Sequence, residues 1–174
     1  MEKATMDKTL QVIGRNVLVD IIGHSSVGIP AKVDTGADSS SIWATRIRIS
    51  KDGVLSFTLF GEGSPHYTGE VIKRTAYRVA IVRSSNGQEQ IRYRTEIPIK
   101  VAGKRVRGAF FLSDRSANHF PILLGRKTIN KKFLVDVSTK EYDKPPFIRR
   151  GSSLYKEMLK DPYAFHKKYH QNSK

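Results

Sequence analysis

The chain has 174 residues, 39% hydrophobic and 27% charged, which is enough for one domain with a core of modest size. Its 31 Lys and Arg against 16 Asp and Glu leave a formal charge of +15, a surface that draws polyanions, either nucleic acid or acidic polypeptide. The absence of cysteine excludes disulfides and thiolate metal sites, and no apolar run reaches membrane-spanning length. Residues 1–11 are polar and charged without an apolar signal core, so a cytoplasmic protein, neither secreted nor anchored, is expected.

Residues 10–22 alternate loosely and are rich in Val and Ile, predicting one or two strands with a bulge at Gly14. A turn over 23–28 leads to a strand over 29–33, which runs directly into Asp34-Thr35-Gly36-Ala37-Asp38. Strands over 41–50 and 54–60 follow, and residues 61–69, with three glycines, Pro65 and His66, form a loop. Two long strands are predicted over 71–82 and 90–101. They join at Ser84-Ser85-Asn86-Gly87, where Asn-Gly tolerates the positive φ a tight hairpin needs. A turn at 102–104, strands over 106–112 and 122–124, one helical turn within 127–132 and a last strand over 133–137 complete the pattern. Turns recurring every ~8–12 residues describe an all-β sandwich or barrel.

Beyond residue 139 the composition changes. Residues 140–150 are charged and contain Pro145-Pro146, as a linker does; Ser152 could cap a helix carrying Leu154, Tyr155, Met158 and Leu159, and Asp161-Pro162 a second one. The expected organisation is therefore a domain over 1–139 and a basic linker with a helical extension over 140–174, the latter holding nine basic and four acidic residues.

The acidic turn after residue 33 is where chemistry concentrates. A buried strand ending in a glycine turn can hold a carboxylate rigidly and leave it open to a ligand. Asp34 supplies the titratable oxygens, Thr35 a hydroxyl able to bond neighbouring backbone, and Gly36 a place where a Cβ would obstruct close approach. Asp-Thr-Gly alone also fits an ordinary Asx turn.

Together with Phe120-Pro121-Ile122-Leu123-Leu124-Gly125-Arg126, the loop resembles the retropepsin-like aspartic proteases, marked by Asp-Thr-Gly-Ala and a later apolar-apolar-Gly-Arg. More narrowly, the chain is similar to a small prokaryotic branch labelled ATP-dependent zinc protease, some members of which are encoded beside glutamate ligases. The matching segments are Ile13-Gly14-Arg15, Ala31 through Ala37, Ser84 through Gly87, Asp114-Arg115-Ser116, and Pro121 through Arg126 with Phe133-Leu134-Val135-Asp136. They cover roughly residues 12 to 138. The resemblance implies a closed β-barrel like one half of pepsin, with one short helix after the Leu-Leu-Gly-Arg strand. It also implies catalysis by Asp34, Thr35 and Gly36, substrate backbone along Ala37 and Asp38, and a flap at Ser84, Ser85, Asn86 and Gly87. Leu124, Gly125 and Arg126 would give structural support, with an Asp38–Arg126 ion pair behind the site. Two positions depart from the narrower branch, where that of Asp38 is commonly basic and that of Trp43 commonly His.

Hydrolysis of this kind uses two carboxyl groups sharing one proton, one activating water and the other protonating the carbonyl oxygen, and favours an acidic optimum. No second Asp-Thr-Gly or Asp-Ser-Gly occurs in the chain, so the second acid is expected from a second copy across a two-fold axis. Neither a metal nor a nucleotide cofactor is expected. There is no His-Glu-x-x-His and no phosphate-cradling glycine loop; His24, His66 and His119 read as isolated, and His166 and His170, four residues apart, as solvated. The expected partners are a second copy and a peptide or protein substrate, for which acidic, glutamate-rich chains are the candidate; nucleic acid is a secondary partner, and no membrane is expected. The alternative is a non-catalytic basic module for RNA or a ribosomal surface, supported by aromatics interleaved with basic residues at Tyr77-Arg78 and Arg92-Tyr93-Arg94.

Overall fold

The computed structural model describes residues 10–83, 89–143 and 150–170. The strands in chain order are β1 (Gln11–Gly14), β2 (Asn16–Ile21), β3 (Ile29–Asp34), β4 (Ser40–Ile49), β5 (Leu55–Leu59), β6 (Val71–Arg74), β7 (Tyr77–Arg83), β8 (Glu89–Val101), β9 (Lys104–Ser113), β10 (Ile122–Gly125) and β11 (Phe133–Asp136). Helix α1 (Arg126–Ile129) separates the last two strands, and α2 (Arg150–Lys160) and α3 (Pro162–His170) follow them. The chain divides into two compact units, Met1–Asp143 and Lys144–Lys174.

The first unit is mostly β, as the alternation of Val and Ile with polar residues requires. One face of each strand is apolar and must be covered. Ile29, Ala31 and Val33 on β3, Ile42 and Ala44 on β4, Ile97 and Ile99 on β8, and Ile122 and Leu124 on β10 all turn into one core with Phe57, Phe60 and Phe110. The strands pair in the order β10-β3-β2-β8-β9-β4-β5-β6, with β7 on β8 and β10 also on β4. Strands β3 and β10 run parallel, with Val33 opposite Leu124 and Asp34 opposite Gly125. A separate two-stranded sheet joins the ends of the domain, β1 parallel to β11 with Gln11 opposite Phe133 and Gly14 opposite Asp136.

Several local expectations change. Residues 71–82 do not form one strand: β6 pairs with β5 and β7 pairs with β8. The chain changes partners at Thr75-Ala76, where the Thr95 hydroxyl donates to the Ala76 carbonyl at 3.0 Å. Gly14 sits at the end of β1 rather than in a bulge. A Cβ there would lie 2.7 Å from the Thr139 carbonyl oxygen, so glycine is required by close backbone approach. His24 is not isolated: its Nδ1 accepts the Ser26 amide at 3.1 Å, and its Nε2 is 3.4 Å from a Glu70 carboxylate oxygen. Residues 140–143 are held to the sheet by the buried Asn16. Its carboxamide oxygen accepts the Glu141 and Tyr142 amides at 3.0 and 2.9 Å, and its Nδ2 donates to the Tyr142 carbonyl at 3.0 Å.

In the second unit α2 begins at Arg150, which puts Ser152 inside the helix instead of at its cap. Asp161 does cap α3, its carboxylate accepting the Ala164 amide at 2.9 Å. Glu157 joins the two helices, accepting from Lys168 Nζ at 2.6 Å and from the Tyr169 hydroxyl at 3.1 Å.

Candidate active site

Val33 at the end of β3 is buried in the core, and the chain then turns away at Asp34. The turn is folded around the Asp34 carboxylate, whose Oδ1 accepts the amides of Gly36 at 3.1 Å and Ala37 at 3.2 Å. Two amide donors on one oxygen fix the plane of the carboxylate and leave Oδ2 for other work. A Cβ on Gly36 would come within 3.3 Å of that same oxygen, a tight contact that the carboxylate would have to ease.

Residues 37–39 then lie directly on the end of β10. The Arg126 amide donates to the Ala37 carbonyl at 2.8 Å, and the Lys127 amide to the Asp38 carbonyl at 3.1 Å. Gly125 makes this stacking possible. A Cβ on it would fall 2.5 Å from the Ser39 carbonyl oxygen and 2.9 Å from that of Ala37. Leu124 is fully buried and anchors the strand below. The Arg126 guanidinium pairs with the Asp38 carboxylate, and Lys127 Nζ stands 3.4 Å from the other Asp38 oxygen. Hydrogen bonds from Arg126 and then Lys127, with their charges, hold the Asp38 carboxyl below the usual carboxylate range.

The structure thus brings Asp34, Thr35, Gly36, Ala37, Asp38, Leu124, Gly125 and Arg126 into one assembly. Ser84, Ser85, Asn86 and Gly87 lie outside the described residues. The hairpin leading to them is described, with Tyr77 opposite Thr95 and Arg83 opposite Glu89. Thr35 is exposed and lines, with Arg126, Ile129 and Leu134, a cavity of about 510 Å³ between the Asp34 turn and β11. Sequence reasoning missed Ser40 and Thr128, buried hydroxyls 2.7 Å apart beneath the loop. It also missed the hydrogen bonds of Arg92 to Ser113 and of Arg115 to Ser41. The aromatics that suggested base stacking are occupied elsewhere. Tyr77 and Tyr93 pack edge to face, 6.1 Å between centroids, against the core.

No helix among the described residues is long and apolar enough to cross a membrane. Among the same residues, no three His, Cys, Asp or Glu side chains gather as a metal site.

A mostly-β domain whose Asp-Thr-Gly turn packs on an apolar-apolar-Gly-Arg strand has the arrangement of a retropepsin-like aspartic protease. Comparison with known families places it more narrowly: the chain belongs to the RimB-like family, described as retropepsin-like aspartic endopeptidase RimB, matched over residues 12–146. Among curated proteins, a probable alpha-L-glutamate ligase of Shewanella pealeana is 31% identical over 119 residues, 65% of this chain and 26% of that protein. A protein of the same name from Desulfotalea psychrophila is 31% identical over 116 residues, 63% of this chain and 25% of its own length. The chain therefore spans about a quarter of the curated relatives it matches. Among solved structures, a Legionella pneumophila protein of unknown function (DUF785) superposes with a TM-score of 0.58 at 25% identity, covering 75% of this chain and 95% of that one.

Proposed function

We propose that two copies of this chain form an aspartic peptidase in which the Asp34 carboxyls face each other across a two-fold axis. The observation that carries the reading is the Asp34 turn, with one carboxylate oxygen held by two amides and the loop stacked on Gly125 and Arg126. The circuit of pairings from β10 through β3, β2, β8, β9 and β4 back to β10 is read as the closed barrel of a pepsin half.

The dimer reading has a surface to support it. On the two-stranded sheet beside Thr35, Val12 and Leu134 stand opposite each other and are 59% and 53% exposed, an adjacent apolar pair that a second copy could cover. A second copy covering them would bring the two Asp34 turns together, with Thr35 bonding across the axis. One carboxylate then takes a proton from water as its oxygen attacks the scissile carbonyl carbon. The other, protonated, gives its proton to the carbonyl oxygen. Collapse of the resulting gem-diol breaks the C–N bond as a carboxyl proton passes to the leaving nitrogen.

For substrate we favour a glutamate-rich peptide. The formal charge of +15 attracts acidic chains, and the matched relatives carry glutamate-ligase names, whose product chemistry a peptidase of this kind would reverse. The test is Asp34→Asn. It is expected to abolish cleavage of glutamate-rich peptide while sedimentation still reports a folded dimer. Undiminished turnover, or a wild-type protein that stays monomeric at every concentration, removes the reading.

A further inference from the structure

One face of the sheet carries both the Asp34 turn and a group of arginines, and the strand register traces it. Cross-strand partners share a face, and every second residue returns to it. Lys32 pairs with Leu123, Leu123 with Ser41, Ser41 with Phe111, and Phe111 with Arg94. Asp34 follows Lys32 by two residues on β3, so it belongs to the same face, opposite to the one that packs into the core.

Two further guanidinium groups reach this face. Arg92, two residues before Arg94, donates Nη1 to the Ser113 hydroxyl at 3.0 Å and holds the Gln90 carboxamide oxygen from Nε and Nη2. Arg115, after β9, donates Nη1 to the Ser41 hydroxyl at 3.1 Å and Nε to the Phe120 carbonyl at 3.0 Å. Asp34 is two strand spacings and two residues along the strand from Ser41, about 12 Å. A glutamyl side chain beside a scissile bond at Asp34 reaches part of the way, and the long Arg115 side chain at Ser41 reaches the rest.

The positive charge on this face is not neutralised. Arg92, Arg94 and Arg115 are all half-buried, yet no carboxylate among the described residues is within ion-pair distance of any of them. Asp114, next in sequence to Arg115, turns its carboxylate onto the Ser116 amide at 2.9 Å. Glu96, two residues beyond Arg94, is exposed and lines with Arg78 and Arg94 a cavity of about 370 Å³. Arg94 lies over the Phe111 ring, 5.6 Å from its centroid, and its Nε is buried without a hydrogen-bond partner. Burial, and after it the charge of Arg92, lower the Arg115 pKa. Half-buried guanidiniums bound only to hydroxyl, carboxamide and carbonyl oxygens gain most from an incoming carboxylate, which can take two parallel N–H bonds.

We infer that Arg115 and Arg92, with Arg94 beside them, form the pocket that reads a side-chain carboxylate of the bound peptide, making an acidic residue near the scissile bond the specificity determinant. The inference deepens the peptidase reading and rests on it for the position of the bond. As a carboxylate-binding site it can be tested by itself.

The full chain carrying Asp34→Asn is titrated calorimetrically, at low salt, with a short glutamate-rich peptide and with its glutamine isostere. The glutamate peptide is expected to bind about tenfold tighter or better, the scale of one charge-assisted hydrogen-bonded pair. Adding Arg115→Gln or Arg92→Gln brings the two affinities to within about twofold, whereas Arg92→Lys, which keeps charge and loses the planar fork, retains part of the preference. The two sites are independent variants, so failure of one to fold leaves the other. Equal affinities, no binding of either peptide, or a preference surviving both glutamine variants overturns the pocket. Wild-type turnover separates the two ideas. Arginine-dependent binding without cleavage removes the peptidase and keeps the pocket, while cleavage of both peptides at equal kcat/KM removes the pocket and keeps the peptidase.

Discussion

Ser40 and Gly125 are 85 residues apart in the chain, yet the buried Ser40 hydroxyl accepts the Gly125 amide at 2.9 Å. The same hydroxyl is 2.7 Å from Thr128 Oγ1, so one side chain ties the start of β4 to both the end of β10 and α1. This knot lies directly beneath the Asp34 turn and fixes the stacking of residues 37–39 on Gly125. Ser40→Ala leaves the Gly125 amide buried without its acceptor and is expected to cost about 1–3 kcal/mol, read by urea denaturation, with a parallel loss of peptide cleavage.

Gly125→Ala tests the close approach itself. The added methyl meets two backbone carbonyl oxygens, not flexible side chains, so neither neighbour can yield without moving the loop after Asp34. Destabilisation of about 1–3 kcal/mol or more is expected, with a lower thermal midpoint and loss of cleavage.

Asn16 offers a separate test of how residues 140–143 are held. Its side chain makes three hydrogen bonds to the Glu141 and Tyr142 backbone from a position 4% exposed. Asn16→Ala is expected to lose about 2–3 kcal/mol of stability and to raise amide hydrogen exchange at Glu141 and Tyr142. Unchanged exchange there would show that the segment is held by other contacts.

Leu134→Glu addresses the apolar sheet face. The side chain is half exposed in the single chain, so stability of the monomer should shift by no more than about 0.5 kcal/mol. In a dimer that buries this face the new charge is desolvated, and sedimentation is expected to show dissociation together with loss of cleavage.

The Asp38–Arg126 pair gives a pH dependence of defined sign. The native pKa of Asp38 is depressed, first by Arg126 and then by Lys127, so the carboxylate form is favoured by folding. Its contribution is present above the unfolded carboxylate pKa and is lost as pH falls through the lower native value. Stability of the wild type should therefore fall more steeply below about pH 4 than that of Asp38→Asn. The difference should be small and should shrink in added salt, because the pair is solvent-exposed.

Local chemistry was written plainly in the sequence. The strand into Asp34, the glycine after Thr35 and the apolar strand ahead of Gly125-Arg126 are short-range patterns, and the structure joins them. What the sequence hid is long-range. Nothing near Ser40 indicates that its hydroxyl belongs to Gly125 and Thr128, and nothing near Asn16 points to Glu141. The break at Thr75-Ala76 escaped notice because β6 and β7 have similar β propensity and differ only in their partners. In the sequence Arg92 and Arg94 show only as basic residues interleaved with an aromatic. Their common face with Ser41 and Asp34 emerges only when five strands are laid in register.

The parallel pairing of β1 with β11 also bears on the timing of synthesis. Val12 leaves the ribosome early, but its partner Leu134 is among the last residues of the domain to be made. A nascent chain can shape its Asp34 turn only partly, since Gly125 is also late, and it holds no finished sheet to offer a twin. Such distant pairing slows folding, and under the dimer reading it keeps the hydrolytic centre unassembled until translation of the domain is complete.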